Sequence, residues 1–135
     1  MNEKNLNELK KLVEKAAKSE EVPVGAIIVY KDKIISKAYN KRNKTNNVLM
    51  HAEIEAIRKA SKILRTWRLN DCNMLVSMKP CSMCSEIIKE SRIKNVYYLL
   101  DNEKQVNKKT RFININTKEA DFYKQIISDF FKKKR

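Results

Sequence analysis

Three side chains of this 135-residue sequence could converge on one metal ion: His51, Cys81 and Cys84. Cys81-Ser82-Met83-Cys84 is a Cys-x-x-Cys motif directly after Pro80, at the predicted start of a helix. Positions i and i+3 share a helix face, so both sulfurs can reach one ion. A helix N-terminus also favours the thiolate form that binds metal. A proline is tolerated in a first turn, where no amide donor is required. Taken alone, the pair equally fits a redox couple or half of a structural zinc site. Four-cysteine sites are excluded, because the chain has three cysteines. A redox couple of the thioredoxin type would follow an early strand, whereas this motif follows the third. Cys72 reads as a small buried residue, and an odd cysteine count argues against a disulfide framework.

The single histidine shifts the balance. His51 stands in His51-Ala52-Glu53, at the predicted entrance of another helix. Three ligands leave one tetrahedral position open, the pattern of a catalytic zinc site rather than a structural one. Zinc held by two thiolates and a neutral imidazole carries no net charge, so it acidifies water less than an all-histidine site would. A general base must then assist, and Glu53 is placed to do so. In a regular helix residues i and i+2 point apart, so His51 and Glu53 can converge only at a first turn. Glu55 reads as an ordinary first-turn acid.

The composition excludes several alternatives. One glycine rules out glycine-rich phosphate cradles, and one histidine rules out sites with two or three histidine ligands on one chain. The first thirty residues hold no signal-peptide stretch, and no run approaches the roughly eighteen apolar residues of a membrane span. A cytoplasmic protein with no membrane segment is expected. The net charge of +14 suits an anionic partner such as nucleic acid. With 23 lysines, 14 asparagines and 14 isoleucines, much of that charge also fits the codon bias of an AT-rich genome. Only Lys132-Lys133-Lys134-Arg135 forms a basic block.

The elements that must position these residues follow from periodicity. Leu6, Leu9, Val13, Ala16 and Ala17 predict an amphipathic helix over residues 2–18. Val24–Tyr30 and Ile34–Tyr39 read as strands joined by the short polar Lys31-Asp32-Lys33, a hairpin. Helices are expected from near His51 through Leu64 and from near Cys81 through Ser91. Strands are expected at Met74–Met78 and Val96–Leu100, and a weaker one at Phe112–Ile115. Tyr123, Ile126, Ile127 and Phe130 mark a last helix. This order implies one α/β domain over residues 1–135, a three-layer α/β/α arrangement with a mixed five-stranded sheet. Strands 74–78 and 96–100, joined through a helix, should be parallel.

The set His51-x-Glu53 with Pro80-Cys81-x-x-Cys84 resembles the zinc-dependent nucleobase deaminases. Glu21-Val22-Pro23-Val24-Gly25-Ala26, Asn40, Trp67-Arg68-Leu69 and Ser91-Arg92-Ile93 extend the likeness to the bacterial tRNA-specific adenosine deaminases, strongly over residues 5–100. The resemblance implies a cytidine-deaminase-like fold and conversion of the wobble adenosine of an arginine tRNA to inosine. It implies one Zn²⁺ per subunit, held by His51, Cys81 and Cys84, with Glu53 as proton shuttle. Asn40 would hydrogen-bond the flipped base, Val24 would form a pocket wall, and the amide of Ala52 would face the base. The implied assembly is a homodimer that binds the tRNA anticodon loop.

The sequence departs from that family in three places. Lys79 stands where glutamate is usual before the proline. Asn47-Val48-Leu49-Met50 replaces an Asp-Pro-x-Ala pattern. The segment Asp101–Thr110 is short, polar and free of glycine. The same metal motif serves deaminases of free cytidine, cytosine or guanine, which is one alternative. A non-catalytic zinc-stabilised RNA-binding module is another, against which Glu53 argues.

Overall fold

A computed structural model describes residues 2–101, 111 and 120–133. Its coordinates divide into two compact units, Met1–Lys104 and Gln105–Arg135. The first holds α1 (Glu3–Lys18), β1 (Gly25–Tyr30), β2 (Lys33–Tyr39), α2 (Arg42–Thr45), α3 (Ala52–Leu64), β3 (Cys72–Met78), α4 (Ser82–Glu90) and β4 (Asn95–Leu100). The second holds α5 (Ala120–Lys133). No described helix is long and apolar enough to cross a membrane.

Among the described residues the sheet has four strands, in the order β2-β1-β3-β4, and not the five expected. The weak strand expected at Phe112–Ile115 lies outside the described residues. β1 pairs antiparallel with both β2 and β3, while β3 and β4 are parallel through α4. The sheet is therefore mixed, and the β3-α4-β4 crossover pairs as its spacing predicts. The hairpin turn is tighter than the sequence suggested. Only Lys31 and Asp32 lie outside the strands, both at positive φ (50° and 62°), and Lys33 already belongs to β2. Two positive-φ residues give the turn whose twist matches antiparallel strands.

Alternation along the central strands sorts the core into two layers. Ala26 and Ile28 of β1 and Met74 and Val76 of β3 pack with Ala52, Ala56 and Ala60 of α3 and Ile88 of α4. Ile27, Val29 and Leu75 point the other way, against Leu9 and Leu12 of α1. A strand covered on both faces reads as a continuous apolar run, which is why Ala26-Ile27-Ile28-Val29 has no polar break. Three alanines on α3 let that helix lie close to the sheet and fix where its N-terminus ends.

The only glycine of the sequence lies where α1 comes close to β1. A Cβ built on Gly25 would lie 2.9 Å from Leu12 Cβ and 3.4 Å from Leu9 Cδ1. Leu12 Cβ is anchored to backbone, so α1 itself would have to move. Gly25→Ala is expected to cost about 1–3 kcal/mol by overpacking. Urea unfolding should show a lower midpoint at unchanged slope; an unchanged midpoint would contradict this packing.

Candidate active site

His51 and Cys81 occupy equivalent positions. Each is the residue just before a helix, with extended backbone (φ −74°, ψ 150° and φ −65°, ψ 170°), and neither side chain caps its helix. Both are thereby free to point away from the helix axis. This also explains how His51 and Glu53 can converge: His51 lies outside α3, so the 100° step of the helix does not apply between them. Cys84 is the third residue of α4. Helical side chains tilt toward the N-terminus, and a cap residue meets the third helical position, as in a capping box. Pro80 lies before the cap rather than in the first turn, a correction to the sequence reading. There it disfavours a helical conformation at Lys79.

The structure brings His51, Cys81 and Cys84 together. Their ligand atoms all lie within 4.8 Å of one another. His51 Nδ1 is 3.4 Å from Cys84 Sγ and 3.9 Å from Cys81 Sγ. A tetrahedral zinc with ordinary bond lengths would set nitrogen and sulfur about 3.6 Å apart. The donor set and its spacing therefore suit a metal ion. Burial, then the charge of Arg42, holds the His51 imidazole below its ordinary pKa, which favours the neutral form that offers a lone pair. Burial above all, and then Glu53 and Cys81, pushes the Cys84 thiol far up. A cation between the sulfurs would supply the missing counter-charge. Cys72 is buried in the core cluster on β3, as the sequence reading held.

Glu53 is buried, with 4% of its surface exposed. Burial raises its pKa; its own backbone N–H and the Cys84 thiol pull the other way through hydrogen bonds. The carboxyl is thus shifted toward the neutral range, where a group can both take and return a proton. Glu55 faces elsewhere. It accepts from Arg58 Nε at 2.8 Å, and that hydrogen bond is the main cause of its lowered pKa.

A pocket of about 180 Å³ opens beside these groups. Drug-sized clefts span about 300–1,000 Å³, so this one suits a single planar base. Its walls include Val24, Asn40, Ala52 and Glu53, together with His51 and Cys81. Asn40 is buried; its N–H donates to the Val24 carbonyl at 3.1 Å and its Nδ2 to the Val22 carbonyl at 3.4 Å. Its Oδ1 accepts from the Arg42 amide at 3.4 Å. One amide hydrogen and one lone pair of the side chain are left for a ligand. The amide of Ala52 opens α3, where a helix N–H has no intrahelical acceptor.

Sequence reasoning missed α2 and the residues it positions. Buried Glu21 holds this short helix: its carboxylate accepts from the Asn43 and Lys44 amides at 3.0 and 2.7 Å. The anchor lies more than twenty residues upstream, so no local pattern announces it. Val22, Arg42 and Met78 also line the pocket. Lys79 joins them, and the sequence reading had noted it only as a departure.

A mixed sheet between helical layers, with these ligands at two helix N-termini, defines the cytidine-deaminase-like class. A family model for MafB19-like deaminases matches residues 1–135. A tRNA-specific adenosine deaminase of Rickettsia bellii (strain RML369-C) is 38% identical over 128 residues, covering 93% of this chain and 88% of its own length. A solved structure from a study of A-to-I editing by tRNA:A34 deaminases at the wobble position of transfer RNA matches with a TM-score of 0.70. It is 32% identical and covers 72% of this chain and 75% of its own. Guanine deaminase from Bacillus subtilis matches with a TM-score of 0.83 at 27% identity, over 96% of this chain and 95% of its own. The chain belongs to the tRNA-specific adenosine deaminase family, within the deaminases described by the MafB19-like model.

Proposed function

We propose that this protein is a hydrolytic deaminase that converts the wobble adenosine of tRNA to inosine, with an arginine tRNA as substrate. The observation that carries the reading is the buried Glu53 beside the His51, Cys81 and Cys84 ligand atoms. The relatives named for tRNA adenosine deamination support the substrate. The family match over residues 1–135 supports a single deaminase domain. A homodimer working on the anticodon loop in the cytoplasm completes the proposal.

His51, Cys81 and Cys84 would hold one Zn²⁺ per subunit. When bound, zinc supplies a Lewis acid that lowers the pKa of a water molecule. Asn40 directs its spare amide hydrogen and lone pair at the edge of the extruded base. The Ala52 amide donates from the end of α3, and Val24 packs against the base. Glu53 takes a proton from the attacking water and delivers it to the ring nitrogen. It then takes the remaining proton from the hydroxyl added at C6 and passes it to the amino group, so that the C–N bond breaks, ammonia leaves and the C6 carbonyl of inosine forms. The low local dielectric that raises its pKa keeps the transferred proton within the site.

The likeness to guanine deaminase over nearly the whole chain favours a second reading, deamination of a free purine base. Incubating the purified protein with an anticodon stem-loop, and separately with adenosine, cytidine and guanine, separates the two. Inosine is expected in the RNA, with free compounds turned over at least a hundredfold more slowly. Turnover of free compounds alone would replace the first reading with the second.

A further inference from the structure

Lys79 lines the same pocket as Glu53 and Asn40, yet the proton transfer has no use for an ammonium. Its backbone is fixed on both sides. The Lys79 amide donates to the Leu100 carbonyl at 2.7 Å, and the following proline restricts its backbone. The side chain is exposed, with Nζ 5.8 Å from the centroid of the Tyr98 ring. Arg42 is a second exposed cation on the pocket wall. Among the described residues neither has a carboxylate partner; the ion pairs there use Glu8, Glu55 and Glu86. Two exposed cations on a pocket wall, neither with a carboxylate partner among the described residues, suit an anion. A free purine base carries none at neutral pH, whereas a nucleotide in a strand brings its phosphodiester to the rim when the base enters.

We propose that Lys79 is a substrate-binding residue that contacts a phosphate of the RNA strand flanking the deaminated nucleotide. The inference rests on the tRNA reading above. It adds a residue that ties the pocket to a strand rather than to a free base, and it places the contact on the β3–α4 loop that also carries Cys81.

The test is steady-state kinetics on an anticodon stem-loop over a range of salt concentrations. The proteins compared are the unaltered one, Lys79→Gln, Lys79→Arg and Lys10→Gln, the last on α1 across the sheet. Lys79→Gln should raise KM about tenfold, the loss of one charge-assisted hydrogen bond, with kcat within about twofold. The slope of log KM against log salt should flatten by about 0.7, as for one phosphate contact on a single strand. Lys79→Arg should restore both, and Lys10→Gln should change neither. A KM change no larger in Lys79→Gln than in Lys10→Gln would overturn the assignment. An equal loss with free adenosine monophosphate would make a mononucleotide the ligand and overturn the strand contact. If the unaltered protein turns over no RNA, the tRNA reading fails and the inference with it; RNA turnover with an unmoved KM sinks the inference alone.

Discussion

Glu53→Ala is expected to abolish inosine formation while the metal stays bound. The side chain lies beside the ligand atoms without belonging to their cluster, so its loss spares the donors. Removing a positioned acid-base group costs about 10²–10⁴-fold in rate. Here one carboxylate serves the attack and the departure, so the upper end of that range applies. Glu53 is buried, and truncation to alanine leaves a void. Glu53→Gln fills the same volume without a proton to shuttle, and it should be as inactive with a smaller loss of stability. Metal content measured beside activity decides the matter. Activity within tenfold of the unaltered protein in either variant would refute the assigned role, whatever the metal content.

The second large effect concerns the ligands. Cys84 is fully buried, and that burial pushes the pKa of its thiol up. Cys84→Ser should remove stoichiometric zinc and lower activity by about 10³-fold or more, since Lewis-acid stabilisation amounts to several kcal/mol. Stability should follow. A ligand at a thousandfold excess over its dissociation constant stabilises a fold by about 4 kcal/mol, so added zinc should raise the Tm of the unaltered protein and not of the variant. Cys72→Ala is the control. Cys72 packs in the core on β3, so its replacement should lower stability and leave zinc content at one per chain. Zinc retained in Cys84→Ser, or lost in Cys72→Ala, would contradict the proposed ligand set.

The sequence made legible what depends on short-range pattern. Alternation and β-branched runs located β1, β2 and the parallel β3/β4 pair. The i, i+3 spacing brought Cys81 and Cys84 within reach of one ion, although Cys81 is the cap before α4 and not part of a helix face. What stayed hidden depends on contacts between distant segments. α2 is four residues long, too short for any periodicity, and Glu21 holds it from another part of the chain. The meeting of His51 with the cysteines was inferred from ligand chemistry. Its geometric basis, two cap residues with free side chains at adjacent helix ends, is visible only in the fold. Arg42 and Met78 carry no signature of pocket residues, because an exposed arginine and a strand-end methionine are ordinary in any sequence. The thiol of Cys84 shows the limit of local reasoning most plainly. Its burial, which pushes the thiol pKa up, comes from packing between distant segments that no local pattern shows.

The central claim is that this protein makes inosine at one position of a tRNA. Inosine pairs as guanosine does, so sequencing the arginine tRNA from cells with and without the protein reads the modification directly. An adenosine-to-guanosine change at the wobble base is predicted with the protein and should vanish when it is removed or replaced by Glu53→Ala. A wobble adenosine that reads the same with and without the protein would contradict the proposed function.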